Sequence, residues 1–193
     1  MLDNLEKYKV ILASGSPRRR ELMAGLDVNY EVRILPDVDE SYPDTLQGEE
    51  IPLYIAKEKA DAYIPMMQPD ELIITADTIV WLDGEVLGKP RDREDALQML
   101  RTMSGRTHEV FTGVCITTTD WQRSFTAQTE VRFATLSEDE IIYYVDNFKP
   151  MDKAGAYGVQ EWIGFIGVEN ISGSYYNIMG LPVQKLYREL LKV

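Results

Sequence analysis

Residues 10–23, VILASGSPRRRELM, constrain the fold of this chain more than any other stretch. The apolar run Val10-Ile11-Leu12-Ala13 has the length of a buried strand, and the small residues Ser14-Gly15-Ser16 end it in a tight turn. Ser16 is a good N-cap and Pro17 suits the first helical position. A helix is therefore predicted to open here, with Leu22, Met23 and Leu26 on its buried side. A strand, a small-residue turn and a helix N-terminus aim unpaired N–H groups and the positive end of the helix dipole at one spot, which makes an anion seat. Arg18, Arg19 and Arg20 crowd that same positive end, where cations are disfavoured unless an anion is bound. The stretch thus reads as a phosphate grip, with Ser14 in its turn. The bland alternative is a basic run on a solvated surface. The spacing is neither a Walker A loop nor a GxGxxG fingerprint, so neither of those mechanisms transfers.

At 193 residues the chain is long enough for one substantial core, and residues 1–193 are expected to form a single mixed α/β domain with two lobes. Its 20 Lys and Arg face 32 Asp and Glu, a net charge of −12, so the whole-molecule field repels polyanions. Nucleic acid is excluded as a partner on that ground, whereas a small phosphorylated ligand suits a few cations gathered in one cleft. Cys115 is the single cysteine, which excludes an internal disulfide and suits a reducing compartment. The N-terminal residues MLDNLEKYK lack a leader-like apolar core and no apolar run reaches membrane-spanning length, so a cytoplasmic protein with no membrane partner is expected.

Along the chain, residues 30–35 alternate like a half-buried strand that Pro36 ends. An acidic loop follows with Asp37, Asp39, Glu40 and Asp44. These acids are solvent-facing on the bland reading, or Asp39 or Glu40 helps to hold a divalent ion. Residues 49–64 carry a helical apolar face of Ile51, Tyr54, Ile55, Ala60 and Tyr63. Lys57 and Lys59 are two residues apart on this helix and so point in different directions. Residues 72–78, LIITADT, read as a buried strand that brings Asp77 and Thr78 to the surface, the place where ligands collect in open α/β sheets. The strand continues through residues 79–82, turns at Asp83-Gly84 and returns through residues 85–87, which brings Lys89 back towards the level of Asp77.

Asp92 caps a helix that runs to Met103, and residues 107–119 and 124–133 form two long strands. His108, the one histidine, is expected to be structural. Ser137 and Glu140 spell a capping box. Residues 149–160, KPMDKAGAYGVQ, read as a loop over a cleft with Asp152, Lys153 and Gln160 as polar members. GFIGVENI reads as a strand, and residues 181–191 as a closing helix with Pro182 in its first turn.

Six stretches taken together resemble the Maf family of nucleoside triphosphate pyrophosphatases: ASGSPRRREL (13–22), EKA (58–60), ADTIV with DGEVLGKP (76–90), SGRTHEV (104–110), DKAGAYGVQ (152–160) and GSYYNIMGLP (173–182). The motifs span nearly the whole chain in one order. The resemblance implies a mixed α/β fold like that of inosine triphosphatases, an elongated twisted sheet flanked by helices with two lobes around a central cleft. It also implies a divalent metal, Mg2+ or Mn2+, and hydrolysis of a nucleoside triphosphate to the monophosphate and pyrophosphate.

Carried over by position, the resemblance makes Asp77 the catalytic carboxylate and Arg18, Arg19, Lys59 and Lys89 the phosphate-binding cations. Glu40 becomes the acid that shares the metal with Asp77. Arg18, Thr78 and Gln160 match the positions that mark the branch using dTTP and UTP; the alternative branch acts on 7-methyl-GTP. Where the family usually has glycine after the glutamine, this chain has Glu161-Trp162, a charge and a bulky ring. Among so many cations, Asp77 is expected to hold and polarise a water in the first instance. The Gln160 amide offers a donor and an acceptor to the paired edge of thymine or uracil. Two rival readings keep the cations: a non-catalytic nucleotide-binding regulator of cell division, and a kinase or phosphatase with different products. Assembly stays open between monomer and homodimer.

Overall fold

The computed structural model describes residues 2–36 and 38–193. Asp37 of the acidic loop lies outside the described residues. Among those residues the chain forms a mixed α/β structure with a seven-stranded sheet. Strand β1 (Lys9–Leu12) lies inside the sheet, and Val10, Ile11 and Leu12 are all buried, the continuous apolar run that a strand covered on both faces requires. It pairs in parallel with β2 (Glu31–Val32) and with β3 (Glu71–Leu82), the latter from Lys9 opposite Glu71 to Leu12 opposite Ile74. The rest are β4 (Glu85–Leu87), β5 (Thr107–Thr117), β6 (Gln122–Phe133) and β7 (Val168–Ser172), and the order is β2-β1-β3-β5-β6-β7 with β4 on β3.

The chain divides into two compact units, Met1–Asp77 with Thr112–Ala127 and Gly180–Val193, and Thr78–Phe111 with Gln128–Met179. In the first, helix α1 (Pro17–Ala24) opens as expected, the Ser16 hydroxyl accepting from the Arg19 N–H at 3.4 Å. Leu22 and Met23 are buried, while Leu26 falls past the helix end and is half-buried. The strand expected over 30–35 shrinks to two exposed residues. The Tyr63 hydroxyl accepts from the Leu35 N–H and donates to the Arg33 carbonyl, diverting that backbone from the ladder.

Helix α2 (Glu50–Asp61) is shorter than expected and gives way to a 3-10 turn at Ile64–Met66 that contains Pro65. Its Ala56 and Ala60 pack on Cys115 of β5, all three fully buried, and the Thr75 hydroxyl donates to the Ala56 carbonyl at 2.6 Å. The approach is close enough that a Cβ at Gly113 would stand 2.3 Å from the Pro52 oxygen, so only glycine fits there. The closing helix, α7 (Val183–Leu190), starts two residues later than expected, with Pro182 as its cap.

In the second unit, β3 turns at Asp83-Gly84, both at positive φ, into antiparallel β4. Helix α3 (Arg93–Met103) is capped by Asp92, and α4 (Glu138–Phe148) by the full Ser137–Glu140 box. The two helices are joined by Arg101–Glu138 and Arg93–Asp146 ion pairs. His108 is buried among Phe133 and Tyr157, with Nε2 2.8 Å from the Tyr157 hydroxyl.

Two expectations are corrected here. The segment over 149–160 is packed inward: Lys153 and residues 155–159 are buried. GFIGVENI is half helix, because α5 (Trp162–Gly167) precedes β7, and the short α6 (Tyr175–Ile178) follows under a Ser174 cap. No helix among the described residues is long and apolar enough to cross a membrane.

Candidate active site

Asp77 lies within β3, which continues past it to Leu82 as the sequence pattern indicated. The carboxylate emerges where half-buried Asp77 and Thr78 interrupt a buried run. The cause is the neighbouring strand. Pairing of β1 with β3 reaches Leu12 and Ile74, one more bond joins the Ala13 N–H to the Ile74 oxygen, and β1 then gives way to the turn at Ser14. That turn is locally closed, with the Ser16 N–H donating to the buried Ser14 hydroxyl at 3.2 Å.

Three side chains of the first unit meet at one ammonium. Lys59 Nζ lies 2.9 Å from Asp77 Oδ1 and 2.8 Å from Glu40 Oε1. The lysine and aspartate side chains are 15% and 14% exposed, whereas Glu40 is 54% exposed, so Glu40 is the partner that a ligand can displace most easily. Lys57 is exposed and Lys59 half-buried, the two directions that the two-residue spacing on α2 implied. The loop acids separate by role. Asp39 accepts from the Ser41 N–H at 2.8 Å and from its hydroxyl at 2.9 Å, and these bonds hold its carboxyl below the usual range. Asp39 therefore serves the loop, and Glu40 reaches the site.

Arg19 has a role that the sequence did not show. Its Nε donates to the Gly180 carbonyl at 2.7 Å and its Nη1 to the Ala76 carbonyl at 3.0 Å, so it ties the backbone beside Asp77 to the start of the last segment. Burial lowers its pKa, the Asp77 carboxylate opposes that, and Arg18 adds a like charge. The ordinary value lies so far above neutrality that the guanidinium stays charged. No sequence signal announces backbone carbonyls as its acceptors.

The remaining expected residues belong to the second unit. Thr78 follows Asp77 on β3 and Lys89 is exposed after Gly88, whose carbonyl accepts from the Gly155 N–H at 3.0 Å. Gln160 presents a buried Oε1 with no hydrogen-bond partner, an acceptor that suits an N–H of a ligand. Sequence reasoning treated Lys153 as a loop residue. It is instead a buried ammonium, 2.8 Å from Asp152 and 3.1 Å from Glu161. In the first unit the donor set suits a hard divalent cation, since Glu40 and Asp77 bring carboxylate oxygens to one point. No cluster of three or more metal-binding side chains occurs among the described residues, so phosphate and water would complete the shell, as Mg2+ sites commonly require.

Comparison with known proteins places the chain in a family. Residues 9–193 match the family described as Maf-like protein. A dTTP/UTP pyrophosphatase of Bacteroides thetaiotaomicron is 71% identical over 193 residues, covering 100% of both chains. One of Bacteroides fragilis is 70% identical over 98% of both, and one of Parabacteroides distasonis is 60% identical over 98% of both. Among solved structures, the Ham1 protein of Staphylococcus aureus aligns with a TM-score of 0.53 at 17% identity over 94% of this chain and 99% of its own. A HAM1 protein of Coxiella burnetii gives 0.53 at 15% identity over 96% and 100%. At such identities these two share the fold alone.

Proposed function

This chain belongs to the Maf-like protein family, and from that premise we propose that it hydrolyses dTTP and UTP to the nucleoside monophosphate and pyrophosphate. The observation that carries the chemistry is the Lys59 ammonium shared by Asp77 and Glu40, in the same unit as the turn and helix start that hold Ser14, Arg18 and Arg19. The relatives' printed activity supplies the bases, and the unpaired Gln160 Oε1 supports that choice because thymine and uracil both carry an N3–H donor.

Water attacks the α-phosphorus, the bond from that phosphorus to the bridging oxygen breaks, and pyrophosphate leaves. Asp77 holds and orients the water and accepts its proton as the bond to phosphorus forms. Lys59 keeps the Asp77 carboxylate in place and brings a positive charge beside it. The N-terminus of α1 and Arg18 neutralise the triphosphate tail, and Arg19 fixes the backbone next to Asp77. Glu40 and Asp77 would hold a divalent cation, which when bound supplies Lewis acidity and further charge neutralisation. A free nucleotide substrate and one buried cysteine fit a cytoplasmic setting.

Pyrophosphate release from a panel of nucleoside triphosphates, run with and without chelator, tests the reading. dTTP and UTP are expected to lead, with activity lost on chelation. A purine preference, or orthophosphate as the product, would overturn it.

A further inference from the structure

Residues 158–161 form a tight turn closed by the Glu161 N–H donating to the Gly158 carbonyl at 2.9 Å, with Val159 and Gln160 at its two central positions. Both corners of this turn are bound to one buried hydroxyl on α4. The Gly158 N–H donates to Tyr144 Oη at 2.9 Å, and that hydroxyl donates to Glu161 Oε2. The other Glu161 oxygen, Oε1, is 3.1 Å from the buried Lys153 ammonium. Space is closed as well: a Cβ at Gly158 would lie 2.9 Å from the Glu161 carboxyl carbon and 3.0 Å from Lys153 Cε. Trp162 completes the anchorage with an edge contact to Tyr143, ring centroids 4.8 Å apart.

We propose that Glu161 is a positioning residue for nucleotide selectivity: clamped between the Tyr144 hydroxyl and the Lys153 ammonium, it locks the turn that presents the Gln160 amide to the base. Rigid presentation matters because a free glutamine can rotate its amide and serve cytosine as well as thymine. Cytosine reverses both groups, with an acceptor at N3 and a donor at C4. Discrimination therefore depends on holding one amide orientation, and an unmatched buried polar pair then rejects the wrong base. Burial together with the Glu161 carboxylate pushes the Tyr144 phenol up, so the hydroxyl remains a donor through neutral pH and the clamp stays closed.

This inference rests on the dTTP/UTP reading and is tested on the wild-type protein beside Glu161→Ala, Glu161→Gln, Tyr144→Phe and Gln160→Ala. The readout is kcat/KM for dTTP and for dCTP by pyrophosphate release. Glu161→Ala is expected to lower the dTTP-to-dCTP ratio about tenfold, chiefly through a raised KM for dTTP. Glu161→Gln, which keeps an acceptor for Tyr144, should recover part of the ratio. Tyr144→Phe keeps the ring packing, removes only the shared hydroxyl and should shift the ratio in the same direction, so the test survives if Glu161→Ala fails to fold. A parallel fall in both substrates, or an unchanged ratio in soluble Glu161→Ala or Tyr144→Phe, overturns the proposal while the parent reading stands. A wild-type protein without preference for dTTP over dCTP overturns both.

Discussion

Two buried or half-buried lysines, one in each unit, are held in contrasting ways. Lys59 shares its ammonium between Asp77 and a Glu40 side chain that is 54% exposed on the acidic loop. Lys153 is 9% exposed and sits between Asp152 and Glu161, with Glu161 also bonded to the fully buried Tyr144. In the first arrangement the Glu40 carboxylate borders solvent, and an incoming polyphosphate can take its place beside the ammonium at little desolvation penalty. In the second, Asp152 is 58% exposed as well, and the difference lies in the other carboxylate: Glu161 is also held by the Tyr144 hydroxyl, which ties it to the Gly158 turn. The contrast sets an ion pair open to solvent in the first unit beside a turn fixed by a buried hydroxyl in the second, and the proposed phosphate chemistry and base recognition draw on these two features in turn.

The sharpest way to break that contrast is Asp77→Asn. Turnover on dTTP should fall by about 1000-fold or more, with binding of a non-hydrolysable dTTP analogue retained in calorimetry; near-normal turnover would remove the chemistry from the first unit. His108 tests the rigidity of the second. Burial presses its pKa from 6.5 down to about 4, so the folded state holds it neutral while the unfolded chain takes up a proton. Its contribution is fully present above the unfolded value of 6.5 and is lost as pH falls through the window down to about 4. Urea midpoints should show roughly 3 kcal/mol lost across that window, and His108→Gln should flatten the slope.

Lys59→Met comes next. It leaves the mostly buried Asp77 and the exposed Glu40 without their common ammonium and should lower kcat/KM for dTTP about 100-fold. The mildest effect belongs to Gln160→Ala, expected to narrow the preference for dTTP over dCTP by about tenfold and to leave kcat nearly intact. Were Lys59→Met to alter base preference and Gln160→Ala to alter kcat, the division between the units would be wrong.

How much of this was legible in advance follows from which forces are local. The strand, turn and helix over 10–23, the Asp83-Gly84 hairpin and the Ser137–Glu140 box rest on contacts a few residues apart, and each formed where the residues said it would. The extent of β2 did not, because Tyr63, far away in sequence, takes over its backbone partners. α5 was hidden because an apolar run with two glycines has no clear period and its start is set by an extended Glu161. At the candidate site, Asp77 and the separate directions of Lys57 and Lys59 were readable from pattern. The choice of Glu40 over Asp39 turned on a serine hydroxyl two residues away, and Arg19's attachment to the Gly180 and Ala76 carbonyls is a tertiary fact with no trace in spacing.

Gly113 gives the close seating of α2 on β5 a kinetic meaning. Pro52 and Leu53, which press against that bare Cα, belong to the same rod as Lys59 a few residues further along. A single methyl group at position 113 would act as a wedge under one end of a lever whose other end carries the ammonium. Damage introduced deep in the interior, at a position that touches no nucleotide, would surface as slow catalysis, and selection on turnover would guard an empty space as strictly as a reacting group.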